Sequence, residues 1–159
     1  MNILVLCTGN SARSILLEAI LNHHGAAERV RAWSAGSRPA GQVHPQSLRL
    51  LAAKGFPTVG LRSKSWDEFA RADAPVMDAV ITVCGSAAGE TCPFWPGAPA
   101  RAHWGVEDPA AAAPDDQERA FSAAFDRLSM RASALLALRP ASIPHAQIQA
   151  ELTKIGQLS

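Results

Sequence analysis

The chain has no tyrosine, only three cysteines, no surplus of either charge and no long apolar run. Lysines and arginines number 15 against 14 acidic residues, so no general basic field is available to hold nucleic acid or an anionic membrane. Any attraction for an anion must therefore be local. No stretch approaches the length of a membrane span, and the run Ile3-Leu4-Val5-Leu6 is too short, and too poor in flanking charge, for a secretory signal. An odd number of cysteines does not suit a secreted disulfide framework, which makes a reducing cytoplasm the expected compartment. The five histidines are not spaced with cysteines or carboxylates as a metal site demands, so no metal is expected.

What remains is ordinary globular material: 159 residues, 48% hydrophobic and 18% charged, enough for a substantial core. Residues 2–6, NILVL, read as a buried strand. A helix follows directly, from Ser11 to Gly25, with Ile15, Leu16, Ala19 and Ile20 at helical spacing and Gly25 as its cap. Further strands are expected at 31–34, 78–84 and 101–104, helices at 44–54, 115–138 and 144–155, and surface loops at 92–100 and 109–114. Strands alternating with helices predict an α/β fold with a parallel sheet, whose ligands bind beyond the carboxyl ends of the strands. Cys7 and Cys84 both fall at such ends.

The chemistry is concentrated in CTGNSARS, residues 7 to 14. A loop joining a strand's end to a helix's start aims several backbone N–H groups at one spot, backed by the helix dipole, and so forms an anion site. Thr8, Gly9, Asn10, Ser11, Ala12, Arg13 and Ser14 supply that cradle. Gly9 allows a tight turn, the Asn10 side chain can hold the loop's shape, and the planar fork of Arg13 can clasp a tetrahedral oxyanion in two places. The same amides and guanidinium are expected to depress the pKa of Cys7 and favour its thiolate, and Ser14 can donate to that sulfur. The bland alternative is a small core cysteine at a strand end with a solvated arginine.

VLCTGNSARS resembles the phosphate-binding loop of the low-molecular-weight protein tyrosine phosphatase superfamily, and particularly of its three-cysteine, thioredoxin-coupled arsenate reductase branch. Glu18 in LLEA, the Ser34-Ala35-Gly36 turn, VITVC at 80 to 84, Cys92-Pro93 and HWGVEDPA at 103 to 110 have counterparts in the same order. The resemblance covers residues 2 to 138. It implies a phosphatase-like three-layer fold, a four-stranded parallel sheet flanked by helices, over a domain of residues 1–139. Residues 140–159 then form a helical C-terminal extension.

The resemblance assigns Asp108, stiffened by Pro109, as the general acid for the departing oxygen. It also implies a relay. Cys7 forms a thiol–arsenate adduct, and Cys84 attacks Cys7 and expels arsenite. Cys92 then attacks Cys84, and the Cys84–Cys92 disulfide goes to a dithiol such as thioredoxin, or to glutaredoxin with glutathione. No bound cofactor is expected, and arsenate, phosphate or sulfate are the expected occupants of the loop. A monomer is the expected state. Two other readings stay open. A phosphatase needs only Cys7, Arg13 and Asp108; a non-catalytic oxyanion or redox sensor would use the Cys84–Cys92 pair alone.

Phosphatases of this superfamily place aromatic residues after the Asp-Pro to wall the phosphotyrosyl ring, whereas here Ala110, Ala111, Ala112 and Ala113 follow Pro109 and tyrosine is absent altogether. A small inorganic oxyanion suits such a site better. Two departures concern the loop's support. Ala12 stands where some relatives carry a further cysteine. Some relatives also bind potassium through residues matching Asn10, Glu18 and Ser34 and an acidic side chain, and the aligned position here is Lys64. Its ammonium could take the cation's place beside Glu18; the plain alternative is a solvated lysine.

Overall fold

The computed structural model describes residues 1–91 and 95–159, so Cys92, with the relay's expected last step, and the Cys92-Pro93 pair lie outside the described residues. Four strands, β1 (Asn2–Leu6), β2 (Arg31–Ala35), β3 (Ala79–Thr82) and β4 (Ala100–His103), form one parallel sheet in the order β2-β1-β3-β4. The helices are α1 (Arg13–Gly25), α2 (Pro45–Ala53), a short α3 (Gly85–Gly89), α4 (Gln117–Ala137) and α5 (His145–Gly156). β1 lies between β2 and β3, with Val5 opposite both Ser34 and Ile81. Its run of Ile3, Leu4, Val5 and Leu6 has no polar member because both faces of a central parallel strand are covered.

The two faces are filled by alternate residues, as the pleat requires. Ile3, Val5, Ala79 and Ile81 pack into the larger cluster, with side chains of α1, α4 and α5. Leu4, Leu6 and Val80 face the other way, into a smaller cluster with Phe69, Met77 and Trp95. α1 is buried without interruption from Ser14 to Leu21. Ser14 and Glu18 are the two polar side chains of that stretch, and both belong to the site described below.

Several boundaries differ from the sequence expectation for local reasons. α1 runs through Gly25 into a 3-10 turn, Ala26–Glu28, and the left-handed residue that ends it is Arg29, at φ 55°. Gly25 is needed for packing instead, because a Cβ there would lie 2.9 Å from the Val30 Cβ. α4 begins at Gln117 because Pro114–Asp116 form a separate 3-10 turn. Residue 95 is no surface position: Trp95 is buried and closes the second face of the sheet edge-on against Trp66, with ring centroids 6.2 Å apart. At the other edge, the Gln149 side chain of α5 accepts from Arg101 N at 2.6 Å and donates to Arg101 O, pairing with β4 as a further strand would. Among the described residues no helix is long and apolar enough to cross a membrane.

Candidate active site

Cys7 and Cys84 follow the carboxyl ends of β1 and β3, neighbours in the sheet, at the point where the chain changes from one side of β1 to the other. Open parallel sheets leave a crevice at such a switch point. The loop that fills it is tied from outside by its carbonyls. Thr8 O accepts from Arg38 N at 3.0 Å, and Gly9 O accepts from Ala40 N at 2.8 Å and Ser63 Oγ at 3.2 Å. Ser11 O accepts from His44 N and from Ser47 Oγ, each at 3.0 Å. With the carbonyls committed outward, the N–H groups point inward. Those of residues 10 to 14 have no acceptor among the described residues, and together they form the cradle.

The cradle's shape depends on Asn10 and on a glycine. Asn10 sits at φ 46°, a left-handed conformation that asparagine tolerates better than most residues. Its fully buried amide uses every group: Nδ2 donates to Ser14 Oγ and Ser34 Oγ, each at 2.9 Å, and Oδ1 accepts from Lys64 N at 2.9 Å. The Ser14 hydroxyl is thereby drawn into the Asn10 network. Gly36 packs against the back of the loop, where a Cβ would lie 2.4 Å from Thr8 O and 2.9 Å from Cys7 O. No other residue fits there.

Beneath the cradle lies a buried charge pair. Ser34 Oγ donates to Glu18 Oε2, and Lys64 Nζ lies 3.8 Å from the same oxygen while donating to Arg62 O at 3.2 Å. Burial is the largest influence on both, pushing the Glu18 pKa up and the Lys64 pKa down, and each partner pulls the other back. With the Lys64 ammonium beside the Glu18 carboxylate, the donor set of Asn10, Glu18 and Ser34 does not fit a bound metal cation.

Arg13, the first residue of α1, reaches over the cradle. Nη1 donates to Val106 O at 2.9 Å, Nη2 lies 3.4 Å from Asp108 Oδ2, and the buried Nε has no partner among the described residues. That unused donor, beside the free amides, is the group an entering oxyanion would take. Asp108 caps a 3-10 turn, Pro109–Ala111, with Oδ1 accepting from Ala110 N at 3.2 Å. A cleft of about 690 Å³ opens beside it, lined by Ala111, Ala112, Ala120, Ala123 and Arg127 and, among the described residues, by no aromatic ring.

The thiols differ from the simple expectation of a Cys7 thiolate. Cys7 and Cys84 are both buried and free, at the ends of neighbouring strands, and each shifts the other's titration. Cys84 is pushed down to about 5, first by Cys7 and, against the effect of burial, by Ala87 N–H at the start of α3 and by Thr8. Cys7 is pushed up, first by Cys84 and then by burial, with Arg13 and the Gly9 amide pulling it down. Sequence reasoning missed Glu90, whose Oε1 accepts from Thr8 Oγ1 at 3.2 Å, and the Val106 carbonyl that seats Arg13. Neither has a residue-type signature; a backbone oxygen leaves none.

Comparison with known proteins identifies the family. The family description "Low molecular weight phosphotyrosine protein phosphatase" matches residues 2–153. An arsenate reductase of Bacillus licheniformis is 34% identical over 114 residues, 72% of this chain and 78% of its own. A solved arsenate reductase in the phosphate binding state has TM-score 0.68 at 27% identity, covering 86% of this chain and 97% of its own. A thioredoxin-dependent arsenate reductase of Corynebacterium glutamicum, with TM-score 0.65 at 24% identity over 89% of this chain and 63% of its own, is alike in fold. The chain belongs to the low molecular weight phosphotyrosine protein phosphatase family.

Proposed function

We propose that the protein reduces arsenate to arsenite, with Cys7 as nucleophile, Arg13 and the loop amides as oxyanion binders, and Asp108 as general acid. Arsenate enters the cradle and takes the free Arg13 Nε and the amides of residues 10 to 14. The Cys7 sulfur forms a bond to arsenic while an arsenic-bound hydroxyl leaves as water, with a proton from Asp108. The Cys7 proton passes to the Cys84 sulfur beside it. Once Cys84 has lost that proton again it attacks Cys7. A sulfur–sulfur bond forms, the sulfur–arsenic pair stays with arsenic, and arsenic(V) leaves as arsenic(III). Cys92 then attacks Cys84, releasing the Cys7 thiolate. An external dithiol of the thioredoxin type, or glutaredoxin with glutathione, returns two electrons to the Cys84–Cys92 disulfide.

The observation that carries this reading is the placement of Cys7 and Cys84, both buried, just beyond the ends of the neighbouring strands β1 and β3, with Thr8 Oγ1 of the cradle loop 3.6 Å from Cys84 Sγ. The proximity of Arg13, Asp108 and Cys7 also supports a second reading, hydrolysis of phosphomonoesters through a Cys7 phospho-enzyme. Against an aryl substrate stands the alanine-rich cleft beside Asp108, which among the described residues offers no ring to stack on.

The deciding experiment follows NADPH oxidation with arsenate, thioredoxin and thioredoxin reductase, beside aryl phosphate hydrolysis by the same preparation. Arsenate-dependent turnover that is lost in Cys84→Ser and in Cys92→Ser supports the relay. Brisk aryl phosphate hydrolysis with no response to arsenate, even with glutaredoxin and glutathione, makes the protein a phosphatase. Neither activity, with Cys84–Cys92 oxidation intact in Cys7→Ser, makes it a sensor.

A further inference from the structure

α4 carries a cation where an apolar side chain belongs. Its buried face runs Phe121, Ala124, Phe125, Leu128, Arg131, Ala132 and Leu135, and Arg131 is 4% exposed. No carboxylate among the described residues pairs with it; burial and the nearby Arg127 both work against its charge. A buried charge without a counter-ion is costly unless hydrogen bonds replace its water. Here backbone carbonyls do so. Arg131 Nη1 donates to Gly105 O at 3.1 Å, and Nε and Nη2 donate to Leu158 O at 3.2 and 3.0 Å.

Those carbonyls join the segment after α5 to the loop that bears Asp108. One residue beyond Gly105, Val106 donates its N–H to Val83 O at 3.1 Å and offers its carbonyl to Arg13 Nη1 at 2.9 Å. Two residues further on, Asp108 Oδ2 faces Arg13 Nη2. The loop's entry is pinned by the same C-terminal segment. Trp104 Nε1 donates to Leu152 O at 2.9 Å, and Gly156 packs so tightly that a Cβ would lie 2.5 Å from His103 O. The cradle loop grips residues 105–108 from one side; α4, α5 and Leu158 grip the preceding peptides from the other.

We infer that Arg131, with the Leu158 carbonyl as its second anchor, is the positioning residue of the 105–109 loop. It holds the Gly105 peptide so that Val106 O meets Arg13 and Asp108 stays beside the oxyanion cradle. Arg131 touches no reacting atom and acts only through that peptide. The kinetic consequence rests on the reading of Asp108 as the acid; the mechanical one does not. The helix after α4 thereby has a role in the site and is more than an appended element.

Two variants test this, Arg131→Met and a chain lacking Gln157 to Ser159, by hydrogen exchange followed by mass spectrometry and by arsenate turnover. In both, exchange at residues 104–109 is expected to rise about tenfold or more, with residues 7–14 changed by no more than roughly twofold. Arg131→Met is expected to lower the turnover number about tenfold in the wild-type background and clearly less in Asp108→Asn, where the acid is gone and only the Val106 contact to Arg13 remains to be disturbed. Unchanged exchange at 104–109 in a folded variant overturns the inference, as does an equal loss of turnover in both backgrounds. If Arg131→Met does not fold, the shortened chain carries the exchange test. An Asp108→Asn protein as fast as wild type sinks the acid assignment instead, and the exchange result then decides the mechanical role alone.

Discussion

Lys64→Met removes the ammonium from beneath the cradle and leaves Glu18 buried, with Ser34 Oγ as its donor. At 3.8 Å the pair attract by about 4 kcal/mol at an effective dielectric of roughly 20, while each ion forfeits several kcal/mol of hydration. The intact pair therefore contributes little net stability, but removing one partner is expected to cost about 3–5 kcal/mol, a large share of the roughly 5–15 kcal/mol that holds a domain folded. Glu18→Gln combined with Lys64→Met removes both charges and is expected to recover most of that loss.

The loss also has a pH signature. Burial already raises the Glu18 pKa above its ordinary 4.5, and Lys64 is the strongest opposing influence, so its removal raises the value further. The folded variant then holds a proton that the unfolded chain releases. Its stability is complete below about 4.5 and falls as pH climbs towards the raised value. Urea unfolding at pH 5 and pH 8 measures this, and the gap between variant and wild type is expected to be wider at pH 8. Turnover in potassium against sodium chloride completes the test. The wild type is expected to run equally in both, and the variant faster in potassium. A Lys64→Met protein as stable as wild type at pH 8, or clear potassium stimulation of the wild type, refutes the reasoning.

The coupled thiols predict that Cys84→Ala lowers the Cys7 pKa by removing its largest raising influence, whereas Cys7→Ala raises that of Cys84 from about 5. Iodoacetamide alkylation against pH, read by mass spectrometry, checks both, and a Cys7 that reacts more slowly at pH 7 in Cys84→Ala contradicts this mutual influence. Gly36→Ala is expected to displace the cradle, costing about 1–3 kcal/mol and most of the affinity for phosphate, since the new Cβ falls 2.4 Å from Thr8 O. Calorimetry with inorganic phosphate decides it; unchanged affinity rules out the clash. Arg13→Lys keeps the charge but loses the planar fork, so phosphate binding is expected to weaken about tenfold or more. A near-wild-type dissociation constant shows that charge alone suffices.

Much of the scaffold is written locally. Ile3-Leu4-Val5-Leu6 has no polar residue to spare for a solvent face, so it had to become a central strand. The spacing of Leu50, Leu51 and Gly55 marks the body and stop of α2, where Gly55 takes φ 81° as only glycine does comfortably. The adjacency of Cys7, Arg13 and Ser14 within a strand–loop–helix is likewise a short-range matter, set by a handful of backbone angles. Trp95 shows where locality stops: a tryptophan in a short apolar context reads as core even inside a Pro- and Ala-rich loop, but which face of the sheet it covers was decided by the tertiary structure.

The sequence by itself determined the strand–helix alternation, the composition of the cradle loop and the presence of an arginine in the Leu128–Leu135 stripe of α4, because each depends on contacts within a few residues. Only the tertiary structure decided which groups meet across the chain. Cys84 is 77 positions from Cys7, and the two thiols shift each other's titration because β1 and β3 are neighbours. Lys64 faces Glu18 because the segment 63–66 crosses beneath the loop, with Gly36 pairing to Ser65. Arg131 meets Gly105 and Leu158 because α5 folds back over β4. Such meetings are settled by how buried surface is shared among distant elements, and no window of sequence contains that information.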